Sequence, residues 1–173
     1  AGEDAAAVAA LQIDDEPCTV MLGASCTIAR STPAALDAWE SRSTSDERTK
    51  DDHIVSIFRT TTRSSYGLVT SAGRLVLAHV VELPKVSADG PLSVTGGVKA
   101  EELLGMTENT DPIRGERVIA AIDMPSTDDS GQLVPLALGT RNGVVKRWNR
   151  ESPTTMDSWS VIDLKDDDDV LAA

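Results

Sequence analysis

The chain has 173 residues, enough for one domain with a proper core and hardly enough for two. Hydrophobic residues make up 40%, yet no apolar run approaches the length of a membrane span. The formal net charge of −12 argues against any surface that is basic all round, so a polyanion could be held only where Lys and Arg are gathered locally.

The first sixteen residues read as a lead-in; AGEDAAAVAALQ has no basic n-region and is not a secretory signal. From residue 17 onward the chain repeats itself. Three segments share an apolar stretch, a small or turn-forming tripeptide, and a second apolar stretch carrying a basic residue: CTVMLGASCTIARS (18–31), YGLVTSAGRLVLAHV (66–80) and PLALGTRNGVVKRWN (135–149). Each predicts a β-hairpin. Its turn centres on Ala72-Gly73 in the second copy and on Asn142-Gly143 in the third. In the first copy Cys26 stands where the others have glycine, which predicts a turn of another type or a strained one.

A second element follows each hairpin, an acidic residue before a β-prone stretch: DDHIVSIF (51–58), GERVIAAI (115–122) and DDDVLAA (167–173). Aligning Ile54, Val118 and Val170 brings Asp52, Glu116 and Asp168 into register. The distance from turn to acidic residue is 26 positions in the first copy, 43 in the second and 25 in the third. The second copy therefore carries about 17 extra residues, expected within 86–114; such insertions are cheap in a repeat protein. Only AALDAWE (34–40) and AEELLGM (100–106) suggest single helical turns. The expected organisation is three repeats at about 17–58, 65–122 and 133–173, roughly two and a half units of a longer array. The plain alternative is an unrelated β-sandwich with similar strands.

With those motifs in hand, the sequence resembles the C-terminal domains of the A subunits of bacterial type IIA DNA topoisomerases, gyrase and topoisomerase IV. GTRNGVVKRW (139–148) matches the family's turn and basic strand, and DDHIVSIFRTTTRSSYGLVTSAGRLVLAHVVELPKV (51–86) matches best, with Glu82, Leu83 and Pro84 at the exit from the hairpin. SWSVIDLKDDDDVLAA (158–173) resembles the closing element, although Ser158 and Trp159 stand where glycine is usual. The resemblance implies an all-β β-pinwheel: propeller-like, four-stranded blades that exchange strands between repeats, here a partial array of two to three blades. It also implies a non-catalytic module that binds and bends duplex DNA and helps select segments for strand passage. Partners would be duplex DNA, the rest of the A subunit and the B subunit, in the cytoplasm. ATP and Mg²⁺ would belong to other domains. The family's gyrases carry a basic heptapeptide (glutamine, two arginines, two glycines, lysine, glycine) after the first hairpin. Here LDAWESRSTSDERTKDD (36–52) keeps Arg42, Arg48 and Lys50 but has six acidic residues and no Gly-Gly-Lys. Gyrase-type wrapping is therefore not expected.

Lys146, Arg147 and Arg150 form the densest basic cluster. On a strand Lys146 and Trp148 share one face, Arg147 the other. Phosphate contact needs only positive charge at a rim, and a solvated edge strand explains the same residues. Arg30 stands four past its turn residue, as Arg147 does, and Arg74 directly follows Gly73; with Arg59 and Arg63 these are the candidates for a basic stripe across blades. An acidic protein-interaction module is the competing function. Chemistry is poorly represented. His53 and His79 have no second ligand at metal spacing, and Tyr66 falls inside a repeat and reads as a core or cross-strand residue. DLKDDDDV (163–170) lacks the central glycine and alternating ligands of an EF-hand and reads as an acidic turn. Cys18 and Cys26 read as buried thiols in a reducing setting, and the three tryptophans as packing residues.

Overall fold

The computed structural model describes residues 14–41, 53–87, 92–104, 115–125, 130–153, 155–165 and 167–173. In chain order the strands are β1 (Pro17–Gly23), β2 (Thr27–Ser31), β3 (Ile54–Thr61), β4 (Ser65–Thr70), β5 (Arg74–His79), β6 (Val98–Lys99), β7 (Val118–Met124), β8 (Leu136–Thr140), β9 (Val145–Trp148), β10 (Ser158–Ser160) and β11 (Val170–Ala172). Among the described residues two short α-helices accompany them, α1 (Ala34–Ser41) and α2 (Ala100–Leu104).

The strands form three antiparallel sheets, ordered β3-β1-β2-β6, β10-β5-β4-β7 and β11-β8-β9. Each sheet is a blade built on one hairpin and on the strand that opens with the aligned apolar residue: Ile54, Val118 or Val170. The fourth strand comes from elsewhere. β6 lies in the second repeat of the sequence but pairs with β2 of the first blade, Ile28 opposite Val98. β10 lies in the third repeat but pairs with β5 of the second blade, Leu75 opposite Trp159. Neighbouring blades are thus tied by backbone hydrogen bonds as well as by side-chain packing.

The three hairpins close alike. The turn amides of Cys26, Gly73 and Gly143 donate to the carbonyls of Gly23, Thr70 and Thr140, at 2.9, 3.0 and 3.1 Å. Two residues earlier, the amides of Ala24, Ser71 and Arg141 donate to His53, Arg117 and Asp169, each just before the aligned strand, at 2.7, 2.8 and 2.9 Å. Gly73 and Gly143 take φ of 77° and 80°, and Cys26 takes φ of 60°. The first turn is therefore of the same left-handed kind as the others, held by a residue whose Cβ resists it. The extra residues of the second repeat contain β6 and α2, so the insertion surrounds a donated strand.

Alternation along the strands makes two cores between blades. Val20, Leu22 and Ile28 of the first blade pack on Tyr66, Leu68, Val76 and Ala78 of the second. The opposite face of the second blade, with Val69, Leu75 and Ile122, packs on Leu138, Val170, Val161 and Ile162. Trp148 and Trp159 border that core with ring centroids 6.3 Å apart. A third cluster, Met21, Ala29 and Ile54 with Ala35 of α1 and Val86 and Val94, seals the outer face of the first blade. Tyr66 is a fully buried core residue, as its place in the repeat suggested. Cys18 is buried, whereas Cys26 is only partly so; both are free thiols.

Candidate nucleic-acid interface

Counting from the turn residue, Arg30, Leu77 and Arg147 are equivalent, as are Ala29, Val76 and Lys146. Ala29 and Val76 are fully buried, and Lys146 is exposed. The third blade thus places two cations where the second has two aliphatic residues. Lys146 and Arg147 lie on β9, opposite Leu138 and Ala137 of β8, and both are exposed. Neither has an ion pair or side-chain hydrogen bond among the described residues. Together they put two charges on successive residues of one exposed edge.

The other basic candidates are placed differently. Arg74 is tied to Glu116, Nε to Oε1 at 2.7 Å and Nη2 to Oε2 at 2.6 Å. Hydrogen bonding to that carboxylate raises the guanidinium's pKa above its ordinary value. Arg30 donates its Nε to the carbonyl of Leu83 at 2.9 Å, while its backbone bonds to Pro84 and Val86. Arg59 pairs with Asp37 at the surface. Arg63 is exposed, its amide donating to Asp15 Oδ1 at 3.1 Å. Arg150 is half-buried at φ 58°, with Nη1 donating to the carbonyl of Asp123 at 3.3 Å and Nε without a partner. Burial lowers the pKa of Arg150 and raises that of Asp123. Arg42, Arg48 and Lys50 lie outside the described residues.

The acidic turn near the third hairpin is internally used. Desolvation works to raise the Asp168 carboxyl, but hydrogen bonds from Thr140 and from the amides of Asn142 and Asp169, with the charge of Arg141, hold it below its ordinary value. Asp169 pairs with Arg141. The aligned acidic position therefore does one job twice: Glu116 ties down the hairpin of the second blade, Asp168 that of the third. Nothing in the charge count distinguished these internally spent arginines from free ones. The spacing did carry the signal, since Glu116 stands in the register that brings it back to its own hairpin.

The molecule so described is a β-pinwheel array, with blades linked by strands passed from each repeat to the blade before it. Solved structures have the same fold. The C-terminal domain of DNA topoisomerase IV superposes with a TM-score of 0.61 at 20% identity, covering 92% of this chain and 46% of that one. The E. coli ParC C-terminal domain gives 0.53 at 16%, covering 91% and 55%, and the DNA gyrase A C-terminal domain 0.50 at 19%, covering 91% and 47%. The chain spans about half the length of these structures, and the likeness is one of fold. No protein-family model and no curated protein matches the sequence. No helix among the described residues is long and apolar enough to cross a membrane.

Proposed function

We propose that this chain is part of the DNA-binding and DNA-bending C-terminal domain of a type IIA topoisomerase A subunit. It has no active site of its own and helps select DNA segments for strand passage. The fold supports the parentage. The observation that carries the DNA reading is the exposed pair Lys146 and Arg147, adjacent on an edge strand and unspent on internal partners. Their mechanism is electrostatic: the two cations displace counterions from phosphates without reading bases. Arg63 adds a further exposed charge. On a chain of net charge −12, contact is expected to be confined to a narrow rim, without wrapping of the gyrase type. The A subunit's other domains and the B subunit are the expected partners, and they supply the ATP and Mg²⁺ chemistry in a cytoplasmic enzyme.

A second reading has its own observation. Arg30, Arg59, Arg74 and Arg150 are all engaged within the protein, which leaves an acidic surface suited to a basic protein partner. Anisotropy of a labelled linear duplex, titrated with protein at low salt, separates the two. The DNA reading expects affinity in about the micromolar range of non-specific binding, abolished by Lys146→Glu with Arg147→Glu while circular dichroism stays unchanged. No binding at tens of micromolar protein, or binding indifferent to that double variant, favours the protein-interaction module.

A further inference from the structure

The strands β3, β7 and β11 open on Ile54, Val118 and Val170, all buried, and alternation turns the next residue of each to the opposite face. Those next residues, Val55, Ile119 and Leu171, come from three different blades and line one open cleft of about 220 Å³. Val55 and Leu171 are 50% and 51% exposed, so apolar surface in equivalent positions meets solvent where the three blades converge. Cys26 of the first hairpin completes the wall. Its thiol donates to the carbonyl of Val118 at 3.5 Å, and burial and the Glu101 carboxylate push it up to about 11, so it stays neutral and is no nucleophile. The cleft also carries a cation. Arg117 lines it, with its main chain held by Ser71: the Ser71 amide donates to the Arg117 carbonyl at 2.8 Å, and the Arg117 amide to Ser71 Oγ at 3.0 Å. Arg117 is exposed and has no ion pair among the described residues, whereas Asp169, its equivalent before β11, is paired with Arg141. Of the charged groups that act on Cys26, Lys99 and Arg117 are cations and Glu101 is the anion. Lys99 gives its Nζ to a neutral group, the carbonyl of Ser25, at 2.6 Å. Among these groups positive charge exceeds negative, on a chain whose net charge is −12.

We infer that this cleft is a docking notch for an acidic peptide segment of a partner protein, with one apolar side chain seated among Val55, Ile119 and Leu171 and a neighbouring carboxylate on Arg117. Size narrows the occupant. Sites for cofactors and drug-sized ligands run from about 300 to 1,000 Å³, and this cleft is smaller, with room for one side chain of leucine or phenylalanine size. Charge decides what flanks that side chain. The guanidinium of Arg117 can hold a carboxylate through two parallel N–H donors, while a basic flank would meet Arg117 and Lys99 as like charges. Nucleic acid fits less well, because phosphate contact needs positive charge and gains nothing from three aliphatic side chains. Lys146 and Arg147 do not line the notch, so the inference goes beyond the DNA reading and is independent of it.

The test uses the full 173-residue chain and a fluorescein-labelled peptide of sequence Gly-Ser-Asp-Leu-Asp-Asp-Ser-Gly. Binding is followed by anisotropy and by methyl NMR shifts at about 0.15 M salt, where distant charges are screened. The expected result is saturable binding with a Kd on the order of 100 μM and shifts at Val55, Ile119 and Leu171. Arg117→Glu should weaken binding by about tenfold. Val55→Gln with Leu171→Gln, both at half-exposed positions, should weaken it similarly with an unchanged circular dichroism spectrum. Lys146→Glu with Arg147→Glu changes the net charge by more than Arg117→Glu does, yet should leave the Kd within about threefold. A peptide with serine for leucine, or with lysine for each aspartate, should not bind. Four outcomes would overturn the inference: no binding at about 2 mM peptide, binding indifferent to Arg117→Glu, equal binding of the lysine peptide, or loss only in the Lys146 and Arg147 double variant. The last would put the peptide on the DNA rim.

Discussion

Arg74 and Glu116, 42 positions apart in sequence, meet in a two-pronged ion pair in which the carboxylate side chain is only 2% exposed and the guanidinium 13%. It joins the start of β5 to the residue before the segment that opens β7, and so fixes the far end of the second repeat's long insertion. Removing one partner leaves the other buried and uncompensated. Glu116→Gln or Arg74→Ala should each lower stability by about 3 kcal/mol in chemical denaturation. The paired change Arg74→Met with Glu116→Leu should cost clearly less than the two single losses added together. Equal and additive losses would show that the pair is not coupled.

The three turn residues make a graded series. Gly73→Ala should be strongly destabilising, since the new methyl meets a backbone oxygen in a position with φ of 77°. Gly143→Ala has open space and should cost only the left-handed penalty of about 1 kcal/mol. Cys26 already carries that penalty, so Cys26→Gly should raise stability by up to about 1 kcal/mol. Part of this gain is offset by loss of the thiol's 3.5 Å bond to the carbonyl of Val118. Thermal melts of the three variants, side by side, order them.

Salt dependence of DNA binding gives a count of the contacts. If Lys146 and Arg147 carry most of the interaction, the slope of log K against log salt should be about −2 to −3, at roughly −0.9 per phosphate. Lys146→Gln alone should reduce its magnitude by about 1, and Arg74→Gln should leave it unaltered wherever that variant is folded. A slope several times steeper would mean that cations beyond β9 take part.

Acid stability should turn on opposed carboxylates. Asp168 is held below its ordinary 3.8 in the folded state, so the stability it contributes is present above pH 3.8 and is lost as pH falls through the folded value. Asp168→Asn should therefore lower the Tm at pH 6, with the difference from the parent shrinking below pH 3.8. Asp123 is raised by burial, with Thr60, Met124 and Arg150 opposing, so its contribution is present at low pH and is lost as pH rises past 3.8. Asp123→Asn should gain relative to the parent across that rise. Melts from pH 2 to 7 check both signs.

Much of this fold was legible because it is periodic. The hairpins at 18–31, 66–80 and 135–149, and the strand starts at Ile54, Val118 and Val170, came from patterns that recur, and a recurring pattern tests itself. The two helical turns were legible from short runs of helix formers, though α1 is longer than the single turn expected. The donor strands were not picked out individually. β6 and β10 are two and three residues long, too short to show alternation, and their place depends on an acceptor far away in the chain. The site was less legible than the fold. Arg30, Arg74 and Arg147 look alike in sequence, and only the carboxylate or carbonyl that folding brings beside two of them separates spent charge from free charge.

Because the first and second blades each finish with a strand from the repeat after it, neither can complete itself while it is the newest part of a growing chain. Cys26 and Ile28 wait for residues 98–100, and Gly73 and Leu75 wait for residues 158–162. Through these two blades, folding during synthesis must run one repeat behind translation, with a naked sheet edge exposed until the donor strand is made. The lysine and arginine on β9 put charge on a sheet edge, a common guard against edge-to-edge association.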